Sequence, residues 1–379
     1  MRAVTVWLMT VGLMGSASAA SCGDFVALNV KTPEGYCVAI VQKNLKFPRG
    51  VLALKDSTVL VVEMGGWGNN LGAVAQVTPG KSIKRYLQGL DRPHGIRQGP
   101  DGRIYVGEDS RIIRFDLKNP AARTVVVSSL PDSGRHPLKS FVFDAQKNLV
   151  VNYGSSTDNC ENQKGKASCS ETSTRSLLKQ FTLDWKGGGK VTGSLTLAKG
   201  LRNSMGLALH PSGTLLQAEN SRDALGSLLK VPDEDLPHDE LNVVQKGGFY
   251  GWPYCYDNQQ NAPEFPSFKC QNSIKPAVLL PGHGAPLGIA YAPENAYPVL
   301  QNTVVVGLHG YRSNGHRIVM YQVNGKGIPS GKLQNVVWDW DTKPGQKQGA
   351  PVDISFAPDG GFYFTDDKNG LLLKFQRQD

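Results

Sequence analysis

The stretch "GIRQGPDGRIYVGEDSRIIRFD" (residues 95–116) decides the fold. An apolar lead-in meets Pro-Asp-Gly, and an alternating run follows, then a second turn and a second alternating run. Asp-Gly supplies the positive-φ tolerance that a tight hairpin needs, so the phrase reads as consecutive antiparallel strands. It recurs as "GVLALKDSTVLVVEMG" (50–65), "SFVFDAQKNLVVNYGS" (140–155), "GLALHPSGTLLQAENS" (206–221), "GIAYAPENAYPVLQNTVVVGLHG" (288–310) and "DISFAPDGGFYFTDDKNGLLLKF" (353–375). The turns at 56, 101, 146, 212, 294 and 359 lie 45, 45, 66, 82 and 65 residues apart. A four-stranded propeller blade takes roughly 40 to 50 residues, and longer gaps hold inserted loops. The phrases therefore predict an all-β, six-bladed β-propeller over 20–379, a single domain in which every blade buries its faces against its neighbours. Ring closure leaves only short edges. The long insertions, 155–175 and 221–285, are expected to cover one face of the disc; loops of that length are usually functional.

The ends and the cysteines bound the setting. Arg2, the apolar run Val4 to Met14 and Ala17-Ser18-Ala19 read as an export signal over 1–19. No segment is apolar for long enough to predict a membrane-spanning helix. A periplasmic or secreted protein is expected, with lipid anchoring at Cys22 as an alternative. Cysteines 22, 37, 160, 169, 255 and 270 form an even set. Such a set in an exported chain reads as a disulfide framework with 15 connectivities open to it. Sequential pairing is the reading taken, because each pair then closes one local loop. The cysteines show neither CxxC zinc spacing nor a CxxCH haem motif. The formal charge is +9, but Lys and Arg are scattered, which argues against nucleic-acid binding. "MGGWGNNLG" (64–72) lies between expected strands and not at a strand-to-helix turn, so it is no nicotinamide-binding fingerprint.

"GRHPLKSFVF" (134–143) places His136 beside a proline that cannot donate to a strand ladder, at a strand entrance. Histidine titrates near neutrality and suits a general base. The most specific segment is "LRNSMGLALHPSGTLLQAENSRDALG" (201–226), followed by "LPHDELNVVQKGGFYGWPYC" (236–255). Arg-Asn before a Gly-Leu-Ala strand, then Glu-Leu, Gly-Gly and Tyr-Gly-Trp-Pro in order, resembles the soluble quinoprotein glucose/sorbosone dehydrogenase family, in particular its sorbosone-dehydrogenase-like branch. The resemblance covers essentially the whole mature chain. It implies a propeller holding pyrroloquinoline quinone and calcium in a pocket at the top of the disc. There a sugar or sugar aldehyde, such as sorbosone or an aldose, is oxidised, and electrons pass to a separate acceptor such as a cytochrome or a quinone.

Carried over residue by residue, the resemblance makes His136 the catalytic base and Arg202 and Asn203 cofactor contacts. His94, His309, Arg312 and Lys347 become further cofactor candidates. Tyr250 and Trp252 would line the substrate pocket, and the main-chain carbonyls of Ser221 and Arg222 would hold calcium. Calcium takes oxygen ligands, backbone carbonyls included. His210 precedes a Pro-Ser-Gly turn and is expected to lie away from the site, and His238 and His283, in inserted loops, show no spacing that argues for a metal. Two departures stand out: Ala350 and Val352 occupy positions where the family carries arginines, and Met205 replaces a glutamine. Two other functions suit the scaffold, namely a calcium-dependent sugar lactonase and a binding propeller without chemistry, because one fold hosts many functions.

Overall fold

The computed structural model describes residues 20–78, 81–163, 168–310, 312–340 and 348–378. The expected export signal, 1–19, and Lys347 lie outside the described residues.

Each recurring phrase contains the two inner strands of one blade, and those at 95–116 and 353–375 run on into the third. In blade one, Pro48–Ala53, Val59–Glu63, Gly72–Val77 and Lys84–Leu90 pair antiparallel in sequence order. The innermost strands of the next five blades are Ile96–Gln98, Phe141–Phe143, Ser204–Leu209, Pro286–Tyr291 and Pro351–Phe356. Neighbouring innermost strands touch all the way round, including the last against the first, so six sheets close one ring.

Burial follows from stacking. The second strand of a blade is sandwiched between neighbours, and Val59–Glu63, Thr303–Leu308 and Phe362–Asp366 are buried at every position. Outer strands such as Asn119–Val127 face water and are mostly exposed. The inner hairpins use the expected turn chemistry. Ser57, Gly102, Lys147, Gly213 and Gly360 all adopt positive φ. Asp56, Asp101, Asp144 and Asp359 each accept the backbone N–H two residues on, at 2.9 to 3.2 Å. His210 Nδ1 does the same for Ser212 N, which makes His210 a turn residue.

Ring closure uses a strand that precedes the first phrase. Tyr36–Gln42 pairs antiparallel with Leu371–Arg377 and becomes the outer strand of blade six. Cys22–Cys37 fastens the N-terminal hairpin Ser21–Val26 to that strand. This bond takes the Cys22 sulfur and so overturns the lipid-anchor alternative. Cys160–Cys169 and Cys255–Cys270 stiffen the two insertions. The insertions pack on each other through a cluster that includes Trp252, Tyr254 and Phe265. Gly248–Phe249 also joins blade three, parallel to Lys190–Lys199. Three disulfides suit an oxidising compartment. No helix among the described residues is long and apolar enough to cross a membrane.

Candidate active site

Two sets of loops meet on one face: those entering the innermost strands, and those leaving the second strands. Their side chains surround a plug of Met64, Leu138, Met205, Leu287 and Val352 on the ring axis. Above it lie two adjoining chambers. The polar one, ≈ 330 Å³, is walled by Arg135, His136, Arg202, Asn203, Asn220, Ser221, Asp223, Asp239 and His283. The more apolar one, ≈ 220 Å³, adds Phe47, Arg49, Trp67, Leu287, His309 and Asp367. Arg135, His136, Asn203, Asn220 and Ala285 line both chambers.

His136 is half-buried between them. Its Nδ1 lies 3.0 Å from the Ser155 carbonyl and 2.8 Å from Ser155 Oγ. Ser155 Oγ donates its own proton to the Thr157 carbonyl at 2.6 Å. Both Ser155 oxygens therefore accept, Nδ1 carries the proton, and Nε2 keeps its lone pair. Burial, then the Arg202 cation, push the imidazole down to about 3. The ring is neutral at physiological pH.

Arg202 is 4 % exposed and fixed by its neighbours. It donates from Nη2 to Asp158 Oδ1 at 2.7 Å and Asp223 Oδ2 at 3.2 Å, from Nε to the Asp158 carbonyl, and from Nη1 to the Asn220 carbonyl. Asn203 donates its backbone N–H to Glu219 Oε1 at 2.9 Å, while its buried side-chain oxygen has no hydrogen-bond partner. Such an orphaned group normally has a reason. Asp239 accepts from the Ser221 and Ala285 backbone N–H groups at 2.8 and 2.7 Å, and burial raises its carboxyl to about 7. No hydrogen bond among the described residues reaches the carbonyl oxygens of Ser221 or Arg222. Across the axis, Asp367 bridges two side chains: it accepts from Arg49 Nη1, and its Oδ1 lies 3.0 Å from His309 Nε2. Burial alone would raise the Asp367 carboxyl, but His309 and Arg49 outweigh it and hold the group below its ordinary value.

The family model described as TrAA12-like matches residues 30–378, nearly all of the described chain. The chain belongs to the TrAA12-like family. An uncharacterized protein of Borreliella burgdorferi is 25% identical over 97% of this chain and 95% of its own length. A pyrroloquinoline quinone-dependent pyranose dehydrogenase of Coprinopsis cinerea is 24% identical over 90% of this chain, which spans only 54% of that enzyme. The structure of the quinone domain of the Coprinopsis cinerea pyranose dehydrogenase in its holo form superposes with a TM-score of 0.74 at 20% identity, covering 92% of this chain and 97% of that one. At that identity the likeness speaks for the propeller.

In this TrAA12-like chain the expected residues divide into two groups. His136, Arg202, Asn203, Ser221 and His309 line the chambers. Others do not. His94 is buried behind Arg49, whose Nε donates to His94 Nδ1 at 3.1 Å, so it positions that arginine and lines neither chamber. Arg312 reaches outward to Asp233 at 2.8 Å. Tyr250 and Trp252 are packing residues. The Tyr250 hydroxyl donates to the Val243 carbonyl, and Trp252 Nε1 to the Asp158 carbonyl, which also accepts from Arg202. The Arg222 side chain is buried in a two-pronged pair with Glu264, leaving only its carbonyl as a metal candidate.

Sequence reading missed Arg49, Arg135, Asp223, Asp239, His283 and Trp67. Arg135 adjoins His136, and Arg49 stands directly before Gly50 at its blade entrance, as Met205 stands before Gly206, so position within the repeat could have found both. Asp223 and His283 arrive on loops outside the recurring phrases, and Asp239 opens the third strand of blade four, Asp239–Val243, which no phrase marks.

Proposed function

We propose that this protein is a quinoprotein dehydrogenase that binds pyrroloquinoline quinone and calcium in the polar chamber and oxidises a sugar or sugar aldehyde, with a separate electron acceptor. The observation that carries the proposal is the placement of His136, its Nε2 unprotonated, in a chamber shared with Arg135, Arg202 and the unpartnered Asn203 oxygen. The residues fit the cofactor. Arg135 and Arg202 offer cations to a tricarboxylate, and Asn203 can orient a polar ring group. The Ser221 and Arg222 carbonyls suit calcium. Bound there, the quinone supplies a two-electron acceptor for hydride from the substrate carbon.

The chain's own contribution is a proton acceptor. His136 Nε2 takes the hydroxyl proton as the carbon–hydrogen bond weakens, and Nδ1–H, held by Ser155, keeps the ring aimed. An anion bound against Arg135 and Arg202 cancels part of the field that makes His136 a poor base. The lactonase alternative needs carboxylates converging on a metal. Among the described residues the one such tight cluster is Cys160, Cys169 and Glu171, and its two sulfurs are bonded to each other.

The test is titration of the metal-stripped protein with quinone and calcium, followed by quinone absorbance, then addition of aldoses and sugar aldehydes with an artificial acceptor. Saturable binding and substrate-dependent bleaching support the proposal. Absence of binding at tens of micromolar quinone refutes it.

A further inference from the structure

The loop "MGGWGNNLG" has no part in the chemistry above, yet it sets a tryptophan at the cavity rim. Trp67 is 59 % exposed, the one tryptophan among the described residues left so far in water, and it lines the apolar chamber and not the polar one. An indole held in water gains nothing for folding, since stabilisation comes from removing apolar surface from solvent.

The loop holds Trp67 in place. Gly65 has φ +74°, and a Cβ there would lie 2.2 Å from the Leu71 carbonyl oxygen, so the chain doubles back at a point that excludes any larger residue. Gly65 N–H donates to the Lys46 carbonyl at 3.0 Å, and Asn70 N–H to Asp91 at 2.8 Å, tying down both ends. Leu71, itself 53 % exposed, sits under the apex within reach of Gly66 and Gly68.

We infer that Trp67 is a stacking platform for a second pyranose ring, so that the cavity takes the end of an oligosaccharide. This rests on the reading of the protein as a sugar dehydrogenase. The face of an indole is electron-rich and its edge is positive. One face of a pyranose presents carbon-bound hydrogens, while its hydroxyls project around the rim and stay hydrated. A half-exposed indole suits such a partner, apolar on one side and wet on the other. His136 fixes where the reacting carbon lies and faces both chambers, whereas Trp67 lines only the adjoining one, where it can meet what the reacting sugar carries beyond itself.

The test compares wild type, Trp67→Ala and Trp67→Phe, as the full chain with and without quinone and calcium. Four matched pairs serve as probes: D-glucose with cellobiose, D-xylose with xylobiose, D-mannose with mannobiose, and D-galactose with galactobiose. Affinity is read by calorimetry and KM by acceptor reduction. In at least one pair the disaccharide should bind about tenfold tighter than its monosaccharide, Trp67→Ala should erase that gain, and Trp67→Phe should keep part of it. Quinone binding should stay within about twofold, because Trp67 does not line the polar chamber. A Trp67-dependent disaccharide gain without turnover would sink the dehydrogenase reading and leave this inference standing. No gain in any pair, or a gain that survives Trp67→Ala, overturns it. So does a Trp67→Ala variant that handles every sugar normally but reduces a protein acceptor more slowly, which would make the loop a docking surface.

Discussion

Arg202→Met tests whether the site and the fold depend on the same ion pair. The Arg202 and Asp158 side chains are 5% and 9% exposed, and Nη2 lies 2.7 Å from Oδ1. Removing one partner of a buried pair strands the other charge and costs about 3–5 kcal/mol. Unfolding entropy of ~2.1 cal/mol/K per residue, over roughly 360 residues, gives ~0.75 kcal/mol/K, so the thermal midpoint should fall by about 4–7 °C. In Arg202→Met/Asp158→Leu both charges are gone, and apolar replacement of a buried pair is often close to neutral. One cost persists, because Asp158 Oδ1 also accepts the Asp223 N–H at 2.9 Å. Leaving that donor unpaired costs about 1–3 kcal/mol, so the double variant should recover part of the midpoint. Quinone affinity should stay low in both variants, since neither has the cation. Differential scanning calorimetry and quinone absorbance titration read the two effects separately. A fall of less than about 1 °C in the single variant, or a double variant less stable than it, would refute the stranded-charge reasoning.

Three further outcomes are expected. His136→Asn should lower turnover by about 10²- to 10⁴-fold while quinone affinity stays within about threefold; wild-type turnover in that variant would exclude His136 as the base. Lys139 is fully buried, its ammonium donates to the Pro131 and Pro137 carbonyls on either side of the His136 loop, and burial, then Arg175, push it down to about 7. The unfolded lysine holds its proton to about 10.4, so the unfolded state binds more protons between pH 7 and 10 and stability rises with pH across that window. Lys139→Met should flatten the rise in urea unfolding curves, and an unchanged slope would count against the lysine as its source. Cys255→Ser/Cys270→Ser opens a 15-residue loop worth roughly 3 kcal/mol and carrying Glu264, the partner of Arg222. Calcium affinity should drop together with the thermal midpoint, and unaltered affinity would argue that the Ser221–Arg222 loop is held independently of the insertion.

Much of this was legible because repeats write their geometry locally. The Asp and Gly turns at 56, 101 and 359 fix hairpins within a few residues, and six hairpins of one kind can bury their faces only by stacking around a ring. The closing strand Tyr36–Gln42 was not legible, because it has no turn of its own and pairs with residues more than 300 positions away. The site shows the same division. His136 and Arg202-Asn203 stand at blade entrances, where the repeat dictates direction. Tyr250 and Trp252 are specific in sequence, but their specificity serves the insertion: the Trp252 indole props the carbonyl that also holds Arg202. A motif can thus mark a site by building its support. His283 reaches the chamber on a loop whose course nothing local determines, and Asp239 reaches it at the start of a third strand, Asp239–Val243, that no repeated phrase announces.

On the proposed reading, the same support leaves the base weak in the free protein. Asp158 satisfies Arg202, and Ser155 holds His136, yet the imidazole meets burial and the Arg202 cation together, and both disfavour its charged form. A neutral ring is what a proton acceptor requires, but one pushed down to about 3 accepts weakly, because transfer efficiency follows basicity. The groups that depress it, Arg202 and Arg135, line the same chamber and are those an anionic ligand would meet first. A carboxylate bound there would offset the cationic part of the depression at His136, while burial, its largest cause, would remain. On the proposed dehydrogenase reading, the arrangement ties occupancy of the chamber to the strength of the base, because the charge that would offset Arg202 and Arg135 arrives with the oxidant.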